Sequence, residues 1–184
     1  MLIGKLMQEI LNEMKEMSEQ LSSEEINIYI DNLSQLLSSK NPSQINIIGL
    51  GAGRMGYSLR SFIMRLNHMG FNASMIGDTN VPRVTKNSII FVNSSSGETP
   101  TILLYTQQAS ALSPKIFSTT CNIKSPIGLA SDFCITMPTL STIQLMKSPY
   151  EQFSMLLYDY IIIRLMGSLN LDPSKVSANH SILE

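Results

Sequence analysis

The fold of this chain is decided by residues 45–56, which read INIIGLGAGRMG. The first half of this stretch, Ile45–Leu50, is a short apolar run rich in isoleucine, as is typical of a buried strand. Glycines follow at the spacing GxGxxG, and an amphipathic helical pattern then covers about residues 54–69 and stops at Gly70. A strand, a glycine-rich turn and a helix in this order are the unit from which parallel α/β sheets are built.

The same alternation continues through the rest of the chain. Further helical patterns cover about residues 99–112 and 149–168, and further short apolar runs lie near residues 72–77, 88–93, 115–120 and 132–137. Asp172-Pro173 ends the last helix and leaves a polar tail, residues 172–184. We therefore predict an α/β domain with a five-stranded parallel sheet, and by analogy with other doubly wound sheets we expect the strand order 2-1-3-4-5.

Two helices are predicted in front of the sheet. Apolar residues recur every three or four positions over residues 2–21, and the pattern resumes from Ser22 to about Ser39. Ser22 and Glu25 have the spacing of a capping box at the start of the second helix, which Asn41-Pro42 ends.

The length of the chain, 184 residues, is that of one domain. We take residues 1–40 as a helical arm and residues 41–184 as the α/β part with its tail, both within that domain. Because the arm has an apolar face, we expect it to pack at least in part on another subunit, so that the protein is a homo-oligomer, a dimer or a tetramer.

Charge and composition exclude several classes of protein. The chain has 13 Lys and Arg against 14 Asp and Glu, a net charge of −1, which argues against nucleic acid as a partner. The sequence holds no apolar window long enough to span a membrane, and charges interrupt its amino terminus, so we expect a cytoplasmic protein. Cys121 and Cys134 lack the spacing of a zinc site or a disulfide frame, so we interpret them as buried thiols and expect no metal.

The glycine-rich turn has two interpretations. With Asp78 near the end of the next strand it matches the fingerprint of a dinucleotide-binding enzyme, such as an NAD-dependent oxidoreductase. Alternatively, the glycines let the strand and the helix approach closely in a tight turn. We favour the tight turn, because the chain has little room for a separate substrate domain.

A second loop follows the third predicted strand and reads NSSSGETP over residues 93–100. Thr99 is a good N-cap residue, and Pro100 suits the first position of a helix. Free backbone N–H groups and the positive helix end attract an anion there, and the hydroxyls of Ser94, Ser96 and Thr99 add neutral donors. The loop therefore favours a phosphate monoester as ligand.

These loops resemble the sugar isomerase (SIS) domain family, whose phosphate loop has the form SxSGxT. The likeness is closer to one branch, the 6-phospho-3-hexuloisomerases. It runs from end to end of the chain, through GAGR at 51–54, MRLNHMGFN at 64–72, SGET at 96–99 and the tail HSILE at 180–184. The resemblance implies a cofactor-free isomerisation of D-arabino-3-hexulose 6-phosphate to fructose 6-phosphate, in the ribulose monophosphate route, by a tetramer built from dimers.

The resemblance also implies roles for individual residues. The family's proposed catalytic base matches Glu151, and the tail histidine matches His180, which can pass protons between substrate oxygens and complete a neighbouring subunit's site. Gly53 and Arg54 join the phosphate-binding residues, and Arg54 can neutralise phosphate or hold an acid at an interface. Glu98 we expect to be structural, because a bound phosphate would repel it from the reacting carbons.

Alternatives remain for both catalytic residues. Ser148 and Glu151 have the spacing of a capping box with Pro149 at the first helical position, so Glu151 can be a helix cap instead of a base. A histidine in a polar tail is usually only solvated, and His68, beside Arg65, we interpret as structural.

The chain departs from the family pattern at several positions. Met55 stands where a serine is expected, Ser95 where the loop has a glycine, and Lys147-Ser148-Pro149-Tyr150 precedes Glu151 where a Gly-Ser pair and Leu-Phe are usual. A regulatory protein that binds a phosphorylated sugar without turnover is therefore a further alternative.

Overall fold

The computed structural model describes residues 3–39 and 41–180. Its parallel sheet has five strands in the order β2-β1-β3-β4-β5, which confirms the predicted α/β fold. The strands are β1 (Asn46–Gly51), β2 (Asn72–Met75), β3 (Ile89–Asn93), β4 (Lys115–Thr120) and β5 (Phe133–Thr136).

Helices surround this sheet. They are α1 (Ile3–Gln20), α2 (Ser23–Ser38), α3 (Gly53–His68), α4 (Pro100–Ser110), α5 (Pro126–Leu129), α6 (Ser148–Ser168) and α7 (Pro173–Ala178), with a 3-10 turn at Pro42–Gln44. The bounds of α1, α2, α3, α4 and α6 agree with the sequence patterns within a few residues. The short helices α5 and α7 were not predicted.

The register of the sheet brings the functional loops to one edge. Gly51 at the end of β1 pairs with Asn93 at the end of β3, and Asn93 pairs with Thr119 near the end of β4. The glycine-rich turn and the serine-rich loop therefore leave the sheet side by side, at the carboxyl edge where ligands bind in open α/β sheets.

Apolar residues cover both faces of the sheet. The larger core joins α1, α2, α3 and α6 to one face and includes the fully buried rings of Tyr29, Phe62, Phe91, Phe117 and Tyr158. The smaller core lies under α4 and α5 on the other face, around Ile102 and Ile127. The sheet is thus buried on both sides, as parallel sheets are.

The helical arm is part of the larger core. Met14 and Met17 of α1 are buried, as are Tyr29 and Ile30 of α2, so the arm packs on its own chain. The first turns of α1 do not share in this burial. Their apolar side chains at Ile3, Leu6, Met7 and Leu11 are exposed.

Only one of the two hydrogen bonds of the capping box predicted for α2 forms. The Ser22 hydroxyl accepts the N–H of Glu25, as expected, at 3.2 Å. The Glu25 carboxylate does not accept the N–H of Ser22 in turn. Instead it accepts the backbone N–H of Thr136 at 2.7 Å and the Thr136 hydroxyl at 3.2 Å, because the unpaired edge of β5 offers these donors.

Residues 172–184 were predicted only as a polar tail, and the structure shows that the first part of this tail is helical. The Asp172 carboxylate accepts the N–H of Ser174 at 2.9 Å, and Pro173 begins α7. Since α6 already ends at Ser168, Asp172-Pro173 starts α7 rather than ending α6, in keeping with the preference of proline for the first helical position. Residues 181–184 lie outside the described part of the chain.

None of the described helices is both long enough and apolar enough to cross a membrane.

The contact between Glu25 and the sheet edge gives a matched pair of variants. Replacing Glu25 by alanine leaves the Thr136 N–H without its acceptor, so we expect Glu25→Ala to lower the free energy of unfolding by about 1–3 kcal/mol. Glu24→Ala removes an exposed carboxylate from the same helical turn and should change it by less than about 0.5 kcal/mol. Urea unfolding measures both, and equal losses would contradict the role of Glu25.

Candidate active site

A cleft of about 140 Å³ opens at the carboxyl edge of the sheet, over the serine-rich loop. Its lining comprises Ala52, Met55, Asn93, Ser94, Ser95, Ser96, Thr99 and Lys147. The predicted phosphate-binding residues Ser94, Ser96 and Thr99 are therefore brought together. Gly53 and Arg54 lie next to the lining residues in the chain but are not among them.

Hydroxyl groups are held in place within this loop. The Ser94 and Thr99 hydroxyls lie 3.1 Å apart, and the Ser96 hydroxyl accepts the N–H of Glu98 at 3.2 Å. Thr99 occupies the N-cap position of α4, but its side chain makes no capping hydrogen bond, in contrast to the prediction. Its hydroxyl turns to Ser94 instead, which leaves the first N–H groups of α4 available.

Three helices, α3, α4 and α6, begin at the cleft. Ala52, Thr99 and Lys147 are the N-cap residues of α3, α4 and α6, and all of them line it. None of these caps has a side-chain hydrogen bond to its own helix. The N–H groups and positive ends of these helices therefore favour an anion in the cleft.

Gly97 determines how closely the loop can approach the next element. Its φ is +67°, and a Cβ there would overlap the side chain of Ser125, which caps α5. The backbone of Gly97 is tied on both sides, because its N–H donates to Ser94 O and its carbonyl accepts the N–H of Ile127. Only glycine fits this position without displacing its neighbours.

A buried polar network lies directly under the cleft. The Asn93 amide donates to the Met55 carbonyl and to the Ser58 hydroxyl, each at 3.0 Å. Its carbonyl oxygen accepts the hydroxyls of Thr119 at 3.0 Å and of Tyr150 at 2.7 Å. This one side chain therefore links β3 to α3, β4 and α6.

Two tyrosines of α6 end in this network. Burial is the main cause that raises the pKa of Tyr150 well above its usual value, and it raises the pKa of Tyr158 as well. Both phenols stay protonated at neutral pH. The Tyr150 hydroxyl can thus act as a donor to Asn93, while Tyr158 lies 2.9 Å from the Thr119 hydroxyl.

Glu151 is held by Arg54 across the interface between α3 and α6. Arg54 Nε lies 2.6 Å from Glu151 Oε2, and the Arg54 Nη1 donates to the Ser148 hydroxyl at 3.3 Å. The Glu151 side chain is largely buried, at 12% exposed, while the Arg54 side chain is 61% exposed. Of the two roles predicted for Arg54, the structure shows it holding an acid.

The same oxygen of Glu151 has an unusual environment. It is buried, yet no described residue donates an aligned hydrogen bond to it, so the contact with Arg54 is one of charge rather than of hydrogen-bond geometry. Oε2 is therefore closed to solvent and lies against Arg54, and the exposed 12% of the Glu151 side chain lies elsewhere.

The capping-box interpretation of Glu151 is wrong. The N-cap residue of α6 is Lys147, and Ser148 already belongs to the helix, where its hydroxyl donates to the Leu145 carbonyl at 2.9 Å. Glu151 is thus too late in the helix to bond back to the cap, and its partner lies on another helix.

His180 lies far from this cleft within the same chain. Its ring packs on His68, with the ring centroids 5.1 Å apart, and Asn179 donates to the His68 carbonyl. His68 ends α3, whereas Arg54 is in its first turn, and a helix of 16 residues is about 24 Å long. The structure therefore does not bring His180 to Glu151 within one subunit. His68 itself is buried beside Arg65, as expected of a structural histidine.

The glycine-rich turn has the features of a close packing contact. A Cβ on Gly56 would lie 2.6 Å from the Gly51 carbonyl oxygen, so the glycines allow α3 to start against β1. Asp78, the acid of the dinucleotide fingerprint, accepts the N–H of Met75 and pairs with Arg60. These contacts, the Met75 N–H first, lower the pKa of Asp78. Its carboxylate therefore stabilises the turn after β2.

Several site residues were not assigned a role from the sequence. Asn93, Ser95 and Lys147 all line the cleft, and the signal for Lys147 was its position one turn before Glu151. Among the described residues, no group of His, Cys, Asp and Glu is arranged to hold a metal ion. Cys121 and Cys134 are free, partly buried thiols.

Comparison with known proteins identifies the family. The chain is 35% identical to the 3-hexulose-6-phosphate isomerase of Bacillus subtilis over 185 residues, which covers 96% of each chain. It belongs to the 3-hexulose-6-phosphate isomerase family.

Two further comparisons support this family assignment. The 3-hexulose-6-phosphate isomerase of Methanocaldococcus jannaschii is 30% identical over 71% of the chain and 72% of its own length. A crystal structure of a Methanococcus jannaschii protein, from which the function of a 3-hexulose-6-phosphate isomerase was inferred, superposes with a TM-score of 0.83 at 25% identity. That match covers 97% of this chain and 98% of the other. No protein-family model matches the chain.

The contact of Gly97 with Ser125 can be tested against a second glycine of positive φ. Gly70 has a φ of +91° and open space around its Cβ position, so Gly70→Ala should cost only backbone strain, about 1–2 kcal/mol. Gly97→Ala adds an overlap with Ser125, and we expect a further loss of about 1–3 kcal/mol in unfolding free energy. Thermal unfolding monitored by circular dichroism compares the two, and equal losses would show that the loop has room at Gly97.

Proposed function

We propose that this chain isomerises D-arabino-3-hexulose 6-phosphate to fructose 6-phosphate. The observation that carries the proposal is the Glu151 carboxylate, which is largely buried and held by Arg54, at the amino end of a helix that borders an anion-favouring cleft. Membership of the isomerase family supports this choice of reaction.

The phosphate group occupies the cleft over the serine-rich loop. Ser94, Ser96 and Thr99 supply hydroxyl donors there, and the free N–H groups of α4 add backbone donors. Gly53 and Arg54 were predicted to join these contacts, but both lie outside the lining, and Arg54 is paired with Glu151, so we assign Arg54 to the base rather than to the phosphate. These contacts anchor the substrate at the end remote from the reacting carbons, so that binding energy orients the C2–C3 region towards Glu151.

The reaction moves the carbonyl group from C3 to C2. Glu151 takes the proton from C2, the electrons of the C–H bond form the C2–C3 double bond of an enediolate, and the former carbonyl oxygen at C3 gains negative charge. Glu151 then returns the proton to C3, while a proton moves from the oxygen on C2 to the oxygen on C3. Arg54 holds the base in place and offers positive charge beside the enediolate.

The transfer between the oxygens is the role we propose for His180. Because His180 lies about one helix length from Glu151 in its own chain, it acts only on the site of another subunit. A homo-oligomer is in keeping with the exposed apolar side chains of Leu6, Met7 and Leu11 on α1. A cytoplasmic location stays a prediction.

A regulator that binds the sugar phosphate without turnover is the second candidate. The observation that favours it is Met55, which lines the cleft where the resemblance expects a hydroxyl donor. Such a protein would hold the phosphate but not exchange the C2 proton.

A coupled assay separates the two candidates. Purified chain is given D-arabino-3-hexulose 6-phosphate, and glucose-6-phosphate isomerase with its dehydrogenase reports fructose 6-phosphate as NADPH. The isomerase proposal expects NADPH formation that depends on the amount of chain. Binding of fructose 6-phosphate without product formation supports the regulator and overturns the isomerase.

The variant Glu151→Gln tests the role of Glu151 as the base. Glu151→Gln keeps the size of the side chain but cannot accept the proton, so we expect turnover to fall by at least about 100-fold, with substrate affinity nearly unchanged. Glu98→Gln is the matched control, since the Glu98 side chain is exposed in the same loop region, and should keep near-normal turnover. Near-normal turnover of Glu151→Gln would remove it as the base and make Glu98 the next candidate.

Sharing of the site between subunits is tested by mixing variants. Glu151→Gln and His180→Ala homo-oligomers should each be impaired, the second more mildly. If the tail acts on a neighbouring subunit, unfolding and refolding an equal mixture creates some sites with both native residues, about a quarter of all sites for random dimers. We expect activity above the mean of the two separate variants. A mixture that only matches this mean would show that His180 does not act between subunits.

A further inference from the structure

Lys147 is the one cationic side chain among the described residues that line the phosphate cleft. It is exposed, and within residues 3–39 and 41–180 its ammonium group has no ion-pair or hydrogen-bond partner. Lys147 lines the cleft together with Ser94, Ser96 and Thr99, within one cavity of about 140 Å³.

The neighbouring cation, Arg54, is already paired with an acid. Arg54 lies 2.6 Å from Glu151 and also donates to Ser148, so its charge is largely compensated within the protein. The loop itself contributes only neutral donors. A phosphate monoester carries about −1.5 to −2 charges at pH 7, and without Lys147 its charge would meet no free cation in the described cleft.

Lys147 also occupies a position where a lysine does not stabilise the helix. It is the N-cap residue of α6, but it makes no side-chain capping bond, and lysine is not among the residues that stabilise this position. A positive charge at the positive end of a helix is unfavourable as well. The local structure therefore offers no stability reason for a lysine here, whereas an anion in the cleft would compensate its charge.

We propose that Lys147 is the cation of this chain that pairs with the phosphate group of the substrate. The assignment rests on the proposed function, because it places the phosphate over the serine-rich loop. Lys147 lies one helical turn before Glu151, and residues four apart on a helix are neighbours about 5–6 Å apart at Cβ. A phosphate held by Lys147 therefore leaves the sugar carbons within reach of the base.

The test compares three variants of the full-length chain. Lys147→Met keeps the length of the side chain and removes its charge, and Lys147→Arg restores the charge. Lys86→Met removes an exposed lysine of the loop before β3, at the other edge of the sheet. Affinity for fructose 6-phosphate and for inorganic phosphate is measured by titration calorimetry at low salt.

We expect Lys147→Met to weaken binding of fructose 6-phosphate by about 10- to 100-fold, the usual effect of a hydrogen bond between charged groups. Inorganic phosphate should lose affinity in the same direction. Lys147→Arg should retain most of the affinity, and Lys86→Met all of it. In the isomerase assay, Lys147→Met should raise KM with kcat nearly unchanged, because the phosphate is remote from the reacting carbons.

Stability serves as the second readout. Because Lys147 does not stabilise α6, the melting temperature of unliganded Lys147→Met should equal or exceed that of the wild type. Unchanged affinity in Lys147→Met, or an equal loss in Lys86→Met, overturns the assignment. If the wild type isomerises but its affinity survives Lys147→Met, only the assignment fails; if isomerisation is absent but affinity still depends on Lys147, the assignment stands and the proposed function fails.

Discussion

The buried carboxamide of Asn93 is the interaction on which the site depends. It is fully buried at the end of the central strand β3, and its amide and carbonyl groups bind partners on α3, β4 and α6. A buried polar network of this kind is stable only when each member is satisfied, so the positions of its partners are specified together. Asn93 thereby sets how α3 and α6 stand over the sheet, and so where Arg54 meets Glu151.

Charge is distributed over the site in separate parts. The amino ends of α3, α4 and α6 provide a positive field for an anion, and Arg54 and Glu151 compensate each other at the side of the cleft. Because Arg54 compensates the charge of Glu151, this carboxylate opposes an anion over the serine-rich loop less than an unpaired acid would.

Capping patterns were the least reliable of the sequence signals, and they failed for one reason. Ser22 caps α2 as predicted, but Glu25 binds the edge of β5; Thr99 bonds to Ser94; and Glu151 pairs with Arg54. Each of these side chains has the right spacing for a local bond and a stronger or otherwise unmet partner from a distant part of the chain. A polar side chain near a helix start takes the partner that the tertiary structure offers.

The sequence by itself determined the fold and the place of the serine-rich loop. The bounds of the strands and of the five longer helices followed from hydrophobic periodicity, and the loop could be found because Ser94 to Thr99 are continuous between a strand and a helix. The tertiary structure alone decided that Lys147 joins this loop, that Glu151 meets Arg54 and that His180 lies at the far end of α3. Periodicity records which face of an element is buried, whereas these contacts join residues far apart in the chain, and only the packing of α3 and α6 on the sheet brings them together or keeps them apart.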